Sequence, residues 1–280
     1  MIVRELRQKF PLDGLLKLVE LARSTFYYQE GLLLAPDKHQ RHKECIRAIY
    51  DANGGLYGYR RITLVMKTLG ETINHKTVKR LMDLLGLQSL VKVKKYVSFK
   101  GAVGRTAPNV LRRRFKTDKA NKKWVTDVTE FKVAGEKLYL SPVVDLYNGE
   151  VIAFETSRRP VFEMVNSMVK KAFAKLKKGD KPILHSDQGW QYQMPNYHKM
   201  LKDRKVVQSM SRKGNCHDNA AMESFFGLLK SEFFHLRTFA SYEELDSGIA
   251  KYIYYYNNHR IKAKLGGLSP VNYRTQAAAL

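Results

Sequence analysis

The sequence predicts an α/β protein in which a mixed β-sheet with covering helices follows a small all-helical region. Three observations carry this. From Trp124 onward, apolar runs of strand length alternate with segments of helical period, the pattern of a layered α/β fold. Up to Leu90 only helical periods occur. Between these regions, Lys92 to Lys123 carries twelve Lys/Arg against one acid, Asp118, and Gly101, Gly104 and Pro108 interrupt any period. The division drawn from these features is 1–90 helical, 91–123 a basic linker and 124–280 the α/β core.

In the first region, Gly14 to Ala22 and Ser24 to Tyr28 form a short helical pair, and His39 to Ala52 and Tyr59 to Leu69 are longer helices. Asn74 is the N-cap of a further helix, with Val78, Leu81, Met82 and Leu85 on one face before Gly86 stops it. A short turn, Gly70 to Ile73, separates the last two, and the first turns of the last carry His75, Lys76, Lys79 and Arg80. That is how a helix-turn-helix offers a recognition helix to a major groove. An ordinary bundle with a wet basic face fits the same stretch, and the overall charge favours DNA, with Lys76 and Lys79 as contacts.

In the core, Trp124 to Val133, Leu138 to Leu146 and Glu150 to Thr156 are strands of an antiparallel meander, turning at Ala134–Lys137 and Asn148–Gly149. A helix over Val161–Leu176, a strand over Pro182–His185, a helix over Met194–Arg204 and a strand over Val206–Met210 follow. Asn219 to Phe234 is a helix, and Ser241-x-x-Glu244 caps the last long one.

The 280 residues carry a net charge of +24, with a pI near 9.9. Such self-repulsion calls for a polyanionic partner, most often nucleic acid. In the linker, Arg112, Arg113 and Arg114 either track phosphates, the reading preferred here, or are simply solvated. Cys45 and Cys216 sit in no C-x-x-C pair, which leaves no disulfide framework or Cys-rich zinc site. Glu5, Pro11 and Asp13 interrupt any signal-peptide pattern in the first residues, and no stretch approaches about 18 apolar residues. A cytoplasmic location with no membrane partner is expected.

Asp127, Asp187 and Glu223 stand where a packed core would not place acids. Asp127 interrupts the apolar run Trp124–Val128, where an unpaired carboxylate would be costly unless a cation satisfied it. Asp187 follows the strand Ile183–His185, at the crevice position of a strand's carboxyl end. Glu223 falls about one turn into the helix from Asn219. Converging carboxylates repel unless divalent cations bind between them, and oxygen-only ligation suits Mg2+ or Mn2+. Two such ions about 4 Å apart clamp the attacking and leaving oxygens of a phosphodiester displacement. Glu130, three positions from Asp127, belongs to the opposite sheet face. Asp145 reads as a turn residue, Asp218 as the N-cap of the Glu223 helix, and His185, Cys216 and His217 as structural.

The segments Trp124-Val125-Thr126-Asp127-Val128-Thr129, His185-Ser186-Asp187-Gln188-Gly189-x-Gln191-Tyr192 and Asp218-Asn219-Ala220-x-x-Glu223-Ser224-Phe225-Phe226 resemble the catalytic core of the OrfB-type insertion-sequence transposases. The 35 residues between Asp187 and Glu223 match the spacing of that family's acidic triad. Gly58-Tyr59-Arg60-Arg61-Ile62 resembles its helix-turn-helix, and Tyr256-Asn257-Asn258-x-Arg260 with Leu268-Ser269-Pro270 its C-terminal signature. The resemblance implies a ribonuclease H-like, integrase-type core of the DDE group with Asp127, Asp187 and Glu223 as catalytic residues and ligands of two Mg2+ or Mn2+ ions. It further implies cleavage at element ends, strand transfer into target DNA, a homo-oligomer on DNA, and work at the bacterial nucleoid. In this family an upstream frame commonly supplies a further helix-turn-helix and leucine zipper, and no zipper-length heptad run occurs here, so such a protein is an expected partner. Two alternatives stay open: a structure-selective nuclease on the same fold, and a DNA-binding regulator without catalysis. Lys230 lies seven residues after Glu223, about 20° short of two full helical turns, and so shares its face. It is expected to contact DNA beside the cleaved bond.

Overall fold

Eleven α-helices and six strands are formed among the described residues of the computed structural model, which are 2–34, 37–91, 106–212 and 216–279. The chain divides into two compact units, Met1–Ile49 and Tyr50–Leu280. The first holds α1 (Ile2–Leu6), α2 (Leu12–Leu18) and α3 (Arg23–Leu34). Leu16 and Phe26 are buried there, and Arg7 Nη1 donates to Glu30 Oε1 at 2.7 Å. The next helix, α4, covers Gln40–Ala52.

In the second unit, α5 (Tyr59–Thr68) packs on α6 (His75–Leu84). Asn74 caps α6, its side chain accepting from Lys76 N at 2.8 Å, and Val78, Leu81 and Met82 are buried, as the spacing predicts. Gly70, at φ +85°, closes α5 in the left-handed backbone that glycine adopts without strain.

The sheet is built on β3 (Glu136–Asp145), with β4 (Val151–Ser157) antiparallel on one edge. On the other edge lie β1 (Lys123–Thr126) and β2 (Thr129–Val133). These two are one strand with a gap, because Thr126 pairs with Val143 and Thr129 with Leu140, three residues on for each strand. In that register Asp127 falls opposite Pro142, which has no N–H to offer. Val128 N instead donates to Asp127 Oδ1 at 2.8 Å. Beyond β1, the parallel strands β5 (Ile183–Ser186) and β6 (Val207–Met210) complete the mixed sheet.

Alternation along the strands sends residues to two cores. Trp124 and Val143 meet Met164, Val165, Met168, Val169 and Ala172 of α7 (Phe162–Ala174), with Tyr197 and Leu201 of α8 (Pro195–Asp203). Val125, Phe131 and Leu138 meet Met222, Phe225 and Leu229 of α9 (Ala220–Glu232) and Leu245, Ile249 and Ile253 of α10 (Tyr242–Asn258). Ser241 caps α10 by accepting from Glu244 N, while Glu244 Oε2 accepts from Ala240 N rather than from Ser241 itself. A final helix, α11, runs from Pro270 to Ala279.

The described end of the basic segment differs from an extended linker. Leu111 is buried in the second core, worth roughly 1.5–3 kcal/mol for a side chain of that size. Leu111 N donates to Ser209 Oγ at 3.1 Å, and Met210 N to Pro108 O at 3.4 Å. Lys92 to Arg105 lie outside the described residues.

Candidate active site

The two aspartates are brought together by strand register. β1 and β5 are parallel neighbours, pairing Lys123 with Ile183, Trp124 with Leu184 and Val125 with His185, a constant offset of 60. The same offset carried past the last residue of each strand sets Asp127 beside Asp187, at adjacent carboxyl ends. Glu223 arrives from the first turn of α9. Asn219, the N-cap position of α9, makes no side-chain cap and instead donates from Nδ2 to Asp127 Oδ2 at 3.2 Å.

Electrostatics agree with this placement. Burial, then the charge of Asp187 and more weakly that of Glu223, hold Asp127 well above the ordinary carboxylate range, against the bonds from Val128 N and Asn219. Burial also raises Asp187, opposed by Gly189 N, which donates to its Oδ1 at 2.9 Å. The buried Tyr192 hydroxyl is pushed up by burial and then by both aspartates.

The donor set suits a hard divalent cation: three carboxylates, with the Asn219 Oδ1 buried and without a hydrogen-bond partner among the described residues. No three His, Cys, Asp or Glu side chains are gathered into a metal-holding cluster among the described residues. His185 is committed elsewhere, with Nδ1 2.8 Å from Ser209 Oγ and Nε2 3.2 Å from Ser211 Oγ, and burial lowers its pKa.

Asp218 is not the helix cap that its position suggests. Its carboxylate is buried and accepts from Arg113 Nε at 2.7 Å, Arg212 Nε at 3.0 Å, Arg212 N at 3.1 Å and Asn109 Nδ2 at 3.0 Å. The hydrogen bond from Arg212 leads the interactions that hold its carboxyl well below the usual range. Asp218 lies inside the 3-10 turn Cys216–Asn219, and Asn219 holds the N-cap position of α9 instead. The side chains of Cys216 and His217 lie outside those described. Asp145 is structural, accepting from Asn121 N and Tyr147 N and pairing with Arg274. Glu130 is bound to Lys137 and Tyr139.

Among the expected DNA contacts, Lys76, Arg112 and Arg114 are exposed. Lys79 is exposed but pairs with Asp83 at 2.8 Å, and Arg113 is tied to Asp218. Lys230 is half-buried, its Nζ 5.4 Å from the Phe131 ring centroid. Burial lowers its pKa, while the charges of Glu130 and Asp127 work the other way, which places the ammonium within the field of the acidic site.

Sequence reasoning missed the other end of α9. Glu232 accepts two bonds of 2.6 Å from Arg260, one of 3.1 Å from Tyr252 Oη and one of 3.5 Å from Arg61. Arg61 and Arg260 stand in the family-like segments, so a signal existed for them; Glu232 stands in none.

Integrase core domain profiles match residues 117–216 and 223–277, and an HTH-like domain profile matches 37–95. The InsK transposase of insertion sequence element IS150 from Escherichia coli K12 is 55% identical over 98% of this chain and 97% of its own length. The transposase for element IS1353 of Shigella flexneri is 38% identical over 98% of this chain, which covers 54% of that protein. Among solved structures, the HTLV-2 integrase catalytic core domain in complex with magnesium aligns with a TM-score of 0.46 and 19% identity, over 55% of this chain and 96% of that one. The chain belongs to the insertion-sequence transposases of the DDE, integrase-like superfamily, with an HTH-like region before an integrase core. It is a DNA transposase, a polynucleotidyl transferase.

Proposed function

We propose that Asp127, Asp187 and Glu223 are the catalytic residues and together hold two Mg2+ or Mn2+ ions, cutting at the ends of an insertion sequence and joining each freed 3′-hydroxyl to target DNA. The observation that carries this is the register of β1 and β5, which sets two acids side by side while α9 turns a third toward them. Bound divalent ions supply Lewis acidity, a lowered pKa for the attacking water or hydroxyl, and charge stabilisation at the phosphorus. The chain's own residues orient the carboxylates: Val128 N and Asn219 fix both oxygens of Asp127, and Gly189 N fixes one of Asp187. Lys230, on α9 with its Nζ over the Phe131 ring, is the residue to meet a phosphate of the bound end. Lys76, Lys79, Arg112 and Arg114 are the further DNA contacts, on α6 and on the segment laid against β6, while Arg113 is held by Asp218. The net charge of +24 supports work at the bacterial nucleoid, in the cytoplasm. A homo-oligomer on DNA, joined by an upstream-frame helix-turn-helix/leucine-zipper protein, is the assembly that the family resemblance implies for this reading.

The test is a divalent-ion-dependent assay that joins a labelled element end to plasmid DNA. Asp127→Asn, Asp187→Asn and Glu223→Gln should each cut cleavage and joining by roughly 100-fold or more while end binding survives. Full cleavage by any of them removes that residue from the site. Cleavage by the wild type without joining would make the protein a nuclease.

A further inference from the structure

The two ends of α9 carry two acids with different surroundings. Glu223 is in the first turn, beside the aspartates, and Glu232 is the last residue, 5% exposed. Nine residues separate them, a rise of about 13 Å along one rigid element. Arg260, 2% exposed, satisfies both Glu232 oxygens in a bidentate pair, and Tyr252 Oη adds a third bond. The bonds and charge of Arg260, then the charge of Arg61 and the bond from Tyr252, together outweigh burial and keep the Glu232 carboxyl below its ordinary value. One guanidinium, that of Arg260, already balances the formal charge of Glu232 and occupies both its oxygens.

Arg61 is the surplus guanidinium. It comes from α5, reaches Glu232 Oε1 at 3.5 Å, and keeps a quarter of its side chain exposed. Its guanidinium lies 5.2 Å from the ring centroid of Tyr57, whose hydroxyl accepts from Ile261 N at 3.2 Å. Tyr57 is 1% exposed. Two polar contacts thus run from the start of the α5–α6 pair to the end of α9 and to the residue after Arg260. Neither is needed to neutralise Glu232, and both fix one element against another. Arginine, with its long reach and planar fork, suits such a tie.

We propose that Arg61 is a positioning residue: its bridge to Glu232, with the Tyr57–Ile261 bond beside it, sets the register between the helix pair α5–α6 and the catalytic helix α9, and so selects which phosphodiester of a bound end reaches Asp127, Asp187 and Glu223. This rests on the reading of α6 as the helix that holds the element end. Because α6 is packed on α5 and Glu223 rides on α9, a small rotation of one against the other displaces the scissile bond while leaving each part intact. A misplacement of about 1 Å can cost on the order of 100-fold in rate.

The experiment uses the full chain, with Arg61→Met, Arg61→Lys and Tyr57→Phe compared with wild type. Affinity for a labelled element end, thermal midpoint and the position of the cut at nucleotide resolution are measured for each. The expected result for Arg61→Met is unchanged end affinity, cleavage at the proper bond reduced roughly 10- to 100-fold, and cuts spread to neighbouring phosphodiesters. Tyr57→Phe should shift the cut in the same sense, and Arg61→Lys should restore much of the proper cut. Wild-type position and yield in both Arg61→Met and Tyr57→Phe would overturn the proposal, as would a yield that falls only in step with the thermal midpoint or with end affinity while the cut stays in place. Unchanged end binding in Lys76→Ala would instead overturn the reading of α6, and the register proposal with it.

Discussion

A single buried amine, that of Lys262, holds the turn between β3 and β4. Its Nζ donates to Asn148 O at 3.3 Å, Gly149 O at 3.1 Å and Tyr256 Oη at 2.7 Å. Gly149 is at φ +72°, and a Cβ there would stand 2.5 Å from that nitrogen, so both backbone and space require glycine. Burial, then repulsion from Arg260 and Lys264, outweighs the attraction of Glu232 and pushes the ammonium down to about 6. A lysine lowered from 10.5 leaves the unfolded chain holding a proton that the folded chain lacks between those values. Its contribution is therefore complete above pH 10.5 and lost as pH falls toward 6, with a slope of at most about 1.4 kcal/mol per pH unit. The three acceptors favour the charged form and so work against the lowering, which narrows the pH range over which that slope applies. Thermal midpoints measured from about pH 6.5 to 9 should rise more steeply in the wild type than in Lys262→Met, because the substitution removes the titrating group. Parallel curves would show that Lys262 keeps its proton throughout. The Asn148–Gly149 turn is legible in the sequence, but the lysine that fastens it lies more than a hundred residues away, outside any local pattern.

The segment from Thr106 to Phe115 shows how far composition alone carries at the scale of an element. Its arginines read as a solvated or phosphate-tracking stretch, yet Leu111 enters the core and Asp218 collects Asn109 and Arg113 from it. Pairings over about a hundred residues leave no periodic trace. The three arginines consequently separate by role. Arg113→Ala should lower stability to urea by roughly 1–3 kcal/mol, since it strips a partner from a buried carboxylate. Arg112→Ala and Arg114→Ala should hardly change stability, and each should flatten the log-log salt slope of DNA binding by about one unit, because each frees one phosphate. Equal stability losses at all three positions would contradict the assignment. By contrast, α6 and α10 were legible from an apolar face and a capping residue, and α7 from its apolar face alone, because these are local signals. The gap between β1 and β2 was not. It depends on Pro142 lying opposite Asp127, and cross-strand register can be read only once strand pairing is known.

For the whole molecule, the alternation of strand and helix periods announced the α/β class, and three acids at element ends marked out the candidate site; what stayed hidden was which parts fold together. In sequence, 1–90 looks like a separate helical region, but from Tyr50 onward it belongs to one compact unit with the sheet. The ties are Tyr57 to Ile261 and Arg61 to Glu232, 204 and 171 residues apart in sequence. Such long-range ties involve one residue each, so neither charge nor periodicity marks them. A single unit implies a single cooperative opening. Native-state hydrogen exchange should then give the amides of Val78 and Leu81 in α6 the same limiting free energy and denaturant dependence as that of Leu184 in β5. The buried side chains of all three support this, since none is more than 1% exposed. A helix pair hung on a flexible linker would behave otherwise, its amides exchanging through a smaller opening with a shallower denaturant slope, because less surface is uncovered. Arg61→Met combined with Tyr57→Phe should move α6 toward that second pattern while leaving Leu184 close to its wild-type protection. Were α6 already independent in the wild type, the double substitution would change nothing in either element.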